Sequence, residues 1–425
     1  MDRRRSTRVL GSLALLAISA MAAGCGEGSP SAGGASLQVV DSAGIEVVRF
    51  DRSEAPVAWR VAPEPEWVLG DGDGGSGVLL HQVGGVLGLP DGWVAVSEAS
   101  TRQILLVDPE GEDLIRLGGA GDGPEEFGSA PAMFRVGAGG EHRIGVHDRW
   151  RGRYVEIAMD GSWLHQVELP EVAGPPAPPR LLLPPGSPHS GEGGPEGFLI
   201  VDPAMPAELT TAPVRGTGTI LRLRGGVAEP LTTFLGPETV RTEALTGSPI
   251  YGARSHLGMS EEGLWIGDSA EPEVVLWAEG PAPARIVRWT GVGDRTVTDA
   301  RVEEFWSRLE AGLPEGQRDL LEGVRAAIPM SQQMPAFGAL AAGPGGALWI
   351  RDELPPEGIM LEAPPPAHEW LVVDFTAGYA ERVLVPPGLV LHEIGDEVVL
   401  GVHTDEMGVQ TVRLHRLERI PDPLN

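Results

Sequence analysis

Gly263-Leu264-Trp265-Ile266-Gly267-Asp268 is an alternating apolar run opened by a glycine and closed by a carboxylate. The phrase returns as Gly346-Ala347-Leu348-Trp349-Ile350-Arg351-Asp352, as Gly197-Phe198-Leu199-Ile200-Val201-Asp202 and as Gly92-Trp93-Val94-Ala95-Val96-Ser97-Glu98. Looser copies are Arg143-Ile144-Gly145-Val146-His147-Asp148 and Val398-Val399-Leu400-Gly401-Val402-His403, the latter just before Asp405. Short alternating runs bounded by turn residues read as strands. Recurrence every ~40–50 residues, with several strands per unit, is the mark of radial repetition. One copy per unit gives six units. The expectation is an all-β chain, a six-bladed β-propeller, with a helical hairpin between blades four and five.

Composition fits that reading. The 425 residues exceed most single cores, but a propeller is one domain however many blades it repeats. The 60 Gly and 39 Pro punctuate short strands. In Pro90-Asp91-Gly92 and Pro109-Glu110-Gly111, Pro presets φ and Gly supplies a positive φ. All 32 basic residues are Arg, and Asn425 is the only Asn. The net charge of −28 repels phosphate backbones and excludes nucleic acid as an expected partner. The same field attracts cations and basic surfaces.

At the N-terminus, Arg3, Arg4, Arg5 and Arg8 precede an apolar run over 9–23 that is too short to span a bilayer comfortably. It ends at Ala22-Ala23-Gly24-Cys25, followed by Gly26-Glu27-Gly28-Ser29-Pro30. This resembles the lipobox of bacterial lipoproteins, although Ala22 stands where that family usually has Leu. The resemblance implies cleavage before Cys25, a diacylglycerol thioether on its sulfur, and attachment to a membrane. Gly26 lacks the Asp that commonly retains lipoproteins on an inner membrane, which implies the cell envelope, on the periplasmic side or at the outer membrane. The sole cysteine excludes an intramolecular disulfide. The expected organisation is a signal peptide over 1–24, a flexible tether over 25–36 and a propeller over 37–425, with the helical insertion at 297–328. The chain is expected to be a monomer.

Along the propeller, 37–40 and 45–50 read as strands around the turn Asp41-Ser42-Ala43-Gly44. The units run over about 83–117, 133–169, 181–234, 254–289, 336–385 and 389–417. Gly118-Gly119-Ala120-Gly121-Asp122-Gly123-Pro124-Glu125-Glu126-Phe127 is similar to the blade junction of NHL-type repeats, and His147-Asp148, Arg153-Tyr154-Val155 and Asp160-Gly161 continue the pattern. The whole chain resembles the bacterial NHL-like six-bladed β-propeller lipoproteins. It departs from them at Glu125, where the repeat usually has Gly, and in its third unit. The resemblance implies a fold and hardly any function. The last unit shows only three strands, so an N-terminal strand, foremost 67–69, is expected to complete it.

Thr298 is a candidate N-cap with Asp299 in the first turn. Val302, Phe305, Trp306 and Leu309 then share one helical face. Gly312 ends this helix, Pro314 opens a second with the stripe Leu320, Leu321, Val324 and Ile328, and Pro329 stops it. The stripes are expected to pack on the propeller.

Strand parity places the acids that end each second strand on one face, together with the helical hairpin, the junctions at 118–132 and 235–250, and the excursions at 202–216 and 353–367. The 185–196 loop falls opposite. Long loops on a rigid scaffold usually carry function. Glu98, Asp148, Asp202, Asp268, Asp352 and Asp405 would ring that face, either as a mouth for a cation, an amine or a basic peptide, or as acceptors for backbone N–H groups in their own turns. Asp148-Arg149-Trp150-Arg151 adds charge, an aromatic plane and two guanidinium forks, residue types enriched at binding hot spots. The competing use of Arg149 and Arg151 is to neutralise nearby acids.

Enzyme chemistry has one weak foothold. His81, His256 and His392 lie near or on innermost strands, and three imidazoles can hold Zn²⁺ with an open position. Nothing in their spacing demands it. The Asn-containing Ca²⁺ site of lactonase propellers cannot form in its usual way with Asn425 as the only Asn. No Gly-x-Ser-x-Gly elbow, Walker-type loop or Cys/His cluster occurs. The sequence therefore points to a lipid-anchored binding or protein-interaction module with no cofactor, its ligand an unidentified protein or small molecule. The alternative is a metal-dependent hydrolase or lyase, using Zn²⁺ or Ca²⁺, at the channel.

Overall fold

The glycine-rich junction near residue 118 sets the spacing between the first two sheets. Gly118 takes φ of +79°, and a Cβ there would lie 2.3 Å from the Phe127 ring. With only hydrogen at that point the chain folds back, and the Phe127 N–H donates to the Gly119 carbonyl at 2.8 Å. Phe127 is thereby completely buried, 5.5 Å from the Trp163 ring, within a core made by side chains of both sheets.

The computed structural model describes residues 34–70, 77–137, 142–172, 177–190, 194–243, 246–311, 318–354 and 364–421, with backbone alone for 311, 318–321 and 324. The expected lipidation site Cys25, the signal peptide and most of the tether lie outside these residues. So do 355–363 of one excursion and the side chains of Leu320, Leu321 and Val324.

Three sheets are simple antiparallel meanders or close to it. The first has Val83–Gly88, Val94–Glu98, Gln103–Val107 and Leu114–Gly118; the second has Ala132–Val136, Arg143–Asp148, Arg153–Ala158 and Trp163–Glu168. The third has Arg180–Leu182, Gly197–Val201, Thr217–Arg224 and Val227–Leu235. Between its second and third strands the chain leaves to form Thr210–Val214, part of a small separate sheet with Thr239–Arg241 and Thr246–Gly247. Middle strands such as Val94–Glu98 and Gly197–Val201 are buried along their whole length, as near-continuous apolar runs require.

N-terminal strands knit the remaining sheets together. Ser255–Ser260, Gly263–Asp268, Glu273–Trp277 and Arg285–Thr290 form an antiparallel set. Ile45–Asp51 then adds in parallel to Arg285–Thr290, with Gln38–Ser42 outside it. The expected hairpin around Asp41–Gly44 thus has a place on a sheet more than 200 residues away in sequence. The last sheet has ten strands. Its two antiparallel sets are Ala339–Ala342, Leu348–Arg351, His368–Asp374 and Tyr379–Val385, and Leu389–Ile394, Val398–Thr404 and Gln410–Arg419. Val57–Val61 joins them, parallel to Tyr379–Val385 and antiparallel to Gln410–Arg419. Trp67–Leu69 lies along Gln410–Arg419, with Leu69 opposite Val412 and Trp67 opposite Leu414.

The boundary of the expected tether shifts by two residues. Ala35–Ser36 pairs with Tyr379–Val385, and Ala35 is buried in a core cluster. The folded body thus begins before residue 37.

Two helices follow Arg285–Thr290: α1, Asp299–Ala311, and α2, Arg318–Ala327. The Thr298 Oγ1 accepts from the Arg301 N–H at 3.4 Å, a long capping bond at the position the sequence indicates. Phe305 and Trp306 are buried with Ile250 and Tyr251, and Val302, Leu309 and Ile328 pack against them. Arg325 of α2 reaches Glu303 at 2.6 Å and lies 5.7 Å from the Trp306 ring. Among the described residues no helix is long and apolar enough to cross a membrane.

Candidate functional site

The carboxylates that close the second strands do not stand as an open ring of charge. Glu98, 5% exposed, accepts from the Gln82 N–H at 3.0 Å, the Thr101 N–H at 2.8 Å, and the Ser100 and Thr101 hydroxyls. Desolvation raises its pKa, but these bonds outweigh it and bring the pKa down to about 2. Asp148 is fully buried and accepts from Gly128 N–H at 3.0 Å, in the junction arriving from the first sheet. Arg153 lies 3.4 Å away and Arg151 3.7 Å away.

The other acids are held by arginines from neighbouring elements. Asp202 takes two bonds from Arg180, at 3.1 and 2.7 Å, and one from Arg149 of the second sheet at 3.1 Å. Asp268 is gripped by Arg215, which precedes the third strand of the third sheet, at 2.7 and 3.0 Å. Asp352 pairs with Arg52, which sits beyond Ile45–Asp51. Burial raises the pKa of Asp352, and Arg52 only partly opposes it. Asp405 accepts from Met407 and Val409 in its own turn, at 2.8 and 2.9 Å. Of the two readings of these acids, the contacts favour acceptors over a cation mouth. Each of these carboxylates already has a partner, and several of those partners come from the sheet next door, so the acids fasten sheets together.

The four-residue stretch 148–151 separates in the same way. Arg149 donates to the Pro178 carbonyl at 2.6 Å as well as to Asp202. Arg151 donates to the Gly123 carbonyl at 2.9 Å, to Gly121, and to Asp122. Both guanidinium forks are committed to bracing neighbouring loops. Trp150, between them, is 65% exposed.

Trp150 is not alone. Among the described residues, the exposed large apolar side chains that sit in loops are Leu79, Trp150, Met205, Leu209, Met407 and Val409. The strand directions put all six on the side where second strands end. Leu79 precedes the Leu80–Gln410 bridge, and Met407 and Val409 lie in the turn capped by Asp405. Met205 and Leu209 follow Asp202. The other exposed large apolar residues lie within strands such as Gln38–Ser42 and Val227–Leu235. Except for Trp150, sequence reasoning missed these loop residues. Met205 and Met407, each flanked by Pro, Gly or an acid, are the ones with a local signal; Leu79, beside Val78 and Leu80, reads like any apolar run.

The three histidines are not brought together. Among the described residues no group of three His, Cys, Asp or Glu side chains is arranged to hold a metal ion. His81 is exposed ahead of Val83–Gly88, His256 opens Ser255–Ser260, and His392 lies in Leu389–Ile394 where the register slips. These strands belong to three different sheets. His256 packs 5.3 Å from Phe337, and burial, with Arg254 and Arg351 nearby, pushes its pKa down to about 3. His392 is open to solvent on one side but hemmed in by protein, and lost hydration pulls its pKa to about 4. His147 likewise falls to about 4 through burial and Arg149, which keeps its Nδ1 free to accept from the Leu181 N–H at 3.3 Å.

No family model and no curated protein matches the chain. Solved structures do. A member of the DUF4221 family from Bacteroides vulgatus is 10% identical, with a TM-score of 0.43, over 91% of this chain and 99% of its own. A protein described as exported, from Bacteroides fragilis, is 10% identical with a TM-score of 0.40, over 88% of this chain and 100% of its own. Virginiamycin B lyase from Staphylococcus aureus is also 10% identical, with a TM-score of 0.36, over 82% and 98%. The sheets follow one another as in a β-propeller; function has to be argued from side chains.

Proposed function

We propose that the chain is a lipid-anchored, extracytoplasmic six-bladed β-propeller that binds a partner through the face where its second strands end. In this reading the three simple sheets are blades one to three. The antiparallel set ending at Arg285–Thr290 is blade four, and the two halves of the ten-stranded sheet are blades five and six. Trp67–Leu69 supplies the outer strand of blade six and closes the ring, and α1 and α2 are an insertion between blades four and five. The basic and apolar stretch ending at Cys25 supports export and acylation. Mass spectrometry of the mature N-terminus tests that point: a diacylated Cys25 is expected, and an unmodified cysteine removes the anchor.

The observation that carries the binding reading is the placement of the six exposed loop side chains, all on one face. Exposing a large apolar side chain forgoes about 1.5–3 kcal/mol of burial, and six of them in loops of one face support an interaction surface there. Arg–carboxylate ties hold the segments beside Trp150 and at Asp202, and backbone bonds to Asp405 hold the turn of Met407 and Val409, which lowers the entropy lost on binding. The partner surface is therefore apolar at its centre. The test compares two triple variants of the mature protein, immobilised and exposed to envelope extract. Trp150→Ser with Leu209→Ser and Met407→Ser should lose a specific partner. Val39→Ser with Leu164→Ser and Val227→Ser should keep it. Equal loss in both sets removes the face assignment.

A further inference from the structure

A cleft of about 480 Å³ opens where the base of the helical segment meets the N-terminal turn at 52–54. Its lining includes Arg52, Arg295, Arg301 and Arg382, against Asp294, Asp352 and Glu353. A chain with 60 acids and 32 arginines has here placed four arginines around one space with three acids.

How these arginines are held matters more than their number. Arg52 is balanced by Asp352, and Arg382 by Glu369 at 2.8 Å. Among the described residues, Arg295 and Arg301 have no carboxylate bond, although Asp294 lies close enough to Arg301 to feel its charge. Arg295 Nη1 donates to the Ala270 and Met334 carbonyls at 3.0 and 3.3 Å. Arg301 donates to the Thr296 and Asp294 carbonyls at 2.6 and 3.0 Å. A carbonyl orients a guanidinium without cancelling its charge. Among the described residues the Arg295 Nε and Nη2 groups make no protein bond, and neither does Arg382 Nη2, whose Nε is fixed on the Ala55 carbonyl at 2.7 Å. None of these three nitrogens is among the buried polar atoms that lack partners, so they are open to solvent. Pre-oriented forks with spare N–H donors suit planar or tetrahedral oxyanions.

We propose that this cleft binds a small oxyanion, a carboxylate or a phosphate, bridged between Arg295 and Arg382. The proposal does not rest on the exposed apolar loops, and either can fail without the other.

Isothermal titration of the mature chain at low ionic strength, with citrate and inorganic phosphate as separate probes, tests it. Saturable one-to-one binding of at least one probe is expected. Citrate alone assigns a carboxylate ligand, and phosphate alone assigns a phosphate. Arg295→Gln should weaken binding about tenfold, the worth of one charge-assisted contact. Asp294→Asn keeps an acceptor for the Thr296 N–H, now 2.9 Å from Asp294 Oδ1, and removes a lining charge; it should tighten binding about threefold. Arg288→Gln, whose arginine pairs with Glu273 outside the cleft, should leave the affinity unchanged. Melting curves check folding, and Asp294→Asn carries the test should Arg295→Gln not fold. The proposal is overturned by the absence of saturable binding with both probes, by equal weakening in Arg288→Gln and Arg295→Gln, or by an unchanged affinity in Asp294→Asn.

Discussion

The two ends of the strands are built differently. At the end where first strands turn into second strands, connections are short and close on themselves. Trp93 N–H donates to the Pro90 carbonyl at 3.3 Å, across Asp91 and Gly92, both with positive φ. Pro344–Gly346 repeats the device. The connection from Arg180–Leu182 to Gly197–Val201 is pinned: Glu156, fully buried, accepts from the Ser190 N–H and hydroxyl at 2.6 and 2.7 Å and from Arg143 at 2.9 Å. At the opposite end, long excursions such as 202–216 stand beside tight turns such as 99–102 and 149–152, carboxylates and arginines cross between sheets, and bulky apolar residues are left in solvent. The carboxylates that end the second strands therefore serve the framework, and the exposed apolar residues beside them are free for recognition. An acid at a strand end is weak evidence for a ligand, and an exposed Trp or Met in a braced loop is better evidence.

The strongest challenge to this contrast is removal of residues 37–70. These supply strands to both large sheets, and their loss leaves Arg285–Thr290, Tyr379–Val385 and Gln410–Arg419 each with an open edge. Exposed edges aggregate. Size-exclusion chromatography should show aggregates in place of a folded chain; an unchanged elution and melting temperature would remove the closure argument.

A smaller effect is expected at Asp148. Replacement by Ala leaves Arg153, 3% exposed, without its carboxylate. Breaking a buried pair from one side costs about 3–5 kcal/mol. Urea denaturation should show a loss of about that size for Asp148→Ala and a smaller one for Asp148→Asn. A loss under about 0.5 kcal/mol would mean that the acids do not hold the sheets.

Glu98 adds a pH dependence. Its folded pKa, about 2, lies below the ordinary 4.5, so the folded state binds fewer protons between those values. Its contribution is fully present above pH 4.5 and is lost as pH falls through about 2. Discounted for screening, it amounts to about 1–2 kcal/mol. Glu98→Gln should lower the urea midpoint at pH 7 and flatten its fall between pH 5 and 3. A parallel fall in both proteins would assign the acid sensitivity to other groups, such as His147 and His256, which are buried neutral and must take up protons on unfolding.

The repeating strands were legible because alternation and a closing turn are local. The pairing of Trp67–Leu69 with the last strand could be anticipated, because a three-stranded unit leaves an edge. Val57–Val61, which links two strand sets, could not: its apolar pattern names no neighbour. The partners of the acids were also hidden. Arg52 and Asp352 are 300 residues apart, and only the closed fold brings them into contact. The histidines mislead for the same reason, since lying near an innermost strand does not fix which sheet a residue faces.

The most direct test of the central claim is Trp150→Ala. Its indole is 65% exposed while Arg149 and Arg151 on either side are fixed to neighbouring loops. The measurement is partner capture by the immobilised mature protein, with the urea midpoint recorded on the same preparations. Stability should stay within about 0.5 kcal/mol of the parent, while partner retention falls about tenfold or more, as for an aromatic hot spot. Unchanged capture, or a loss matched by an equal loss of stability, would contradict the account.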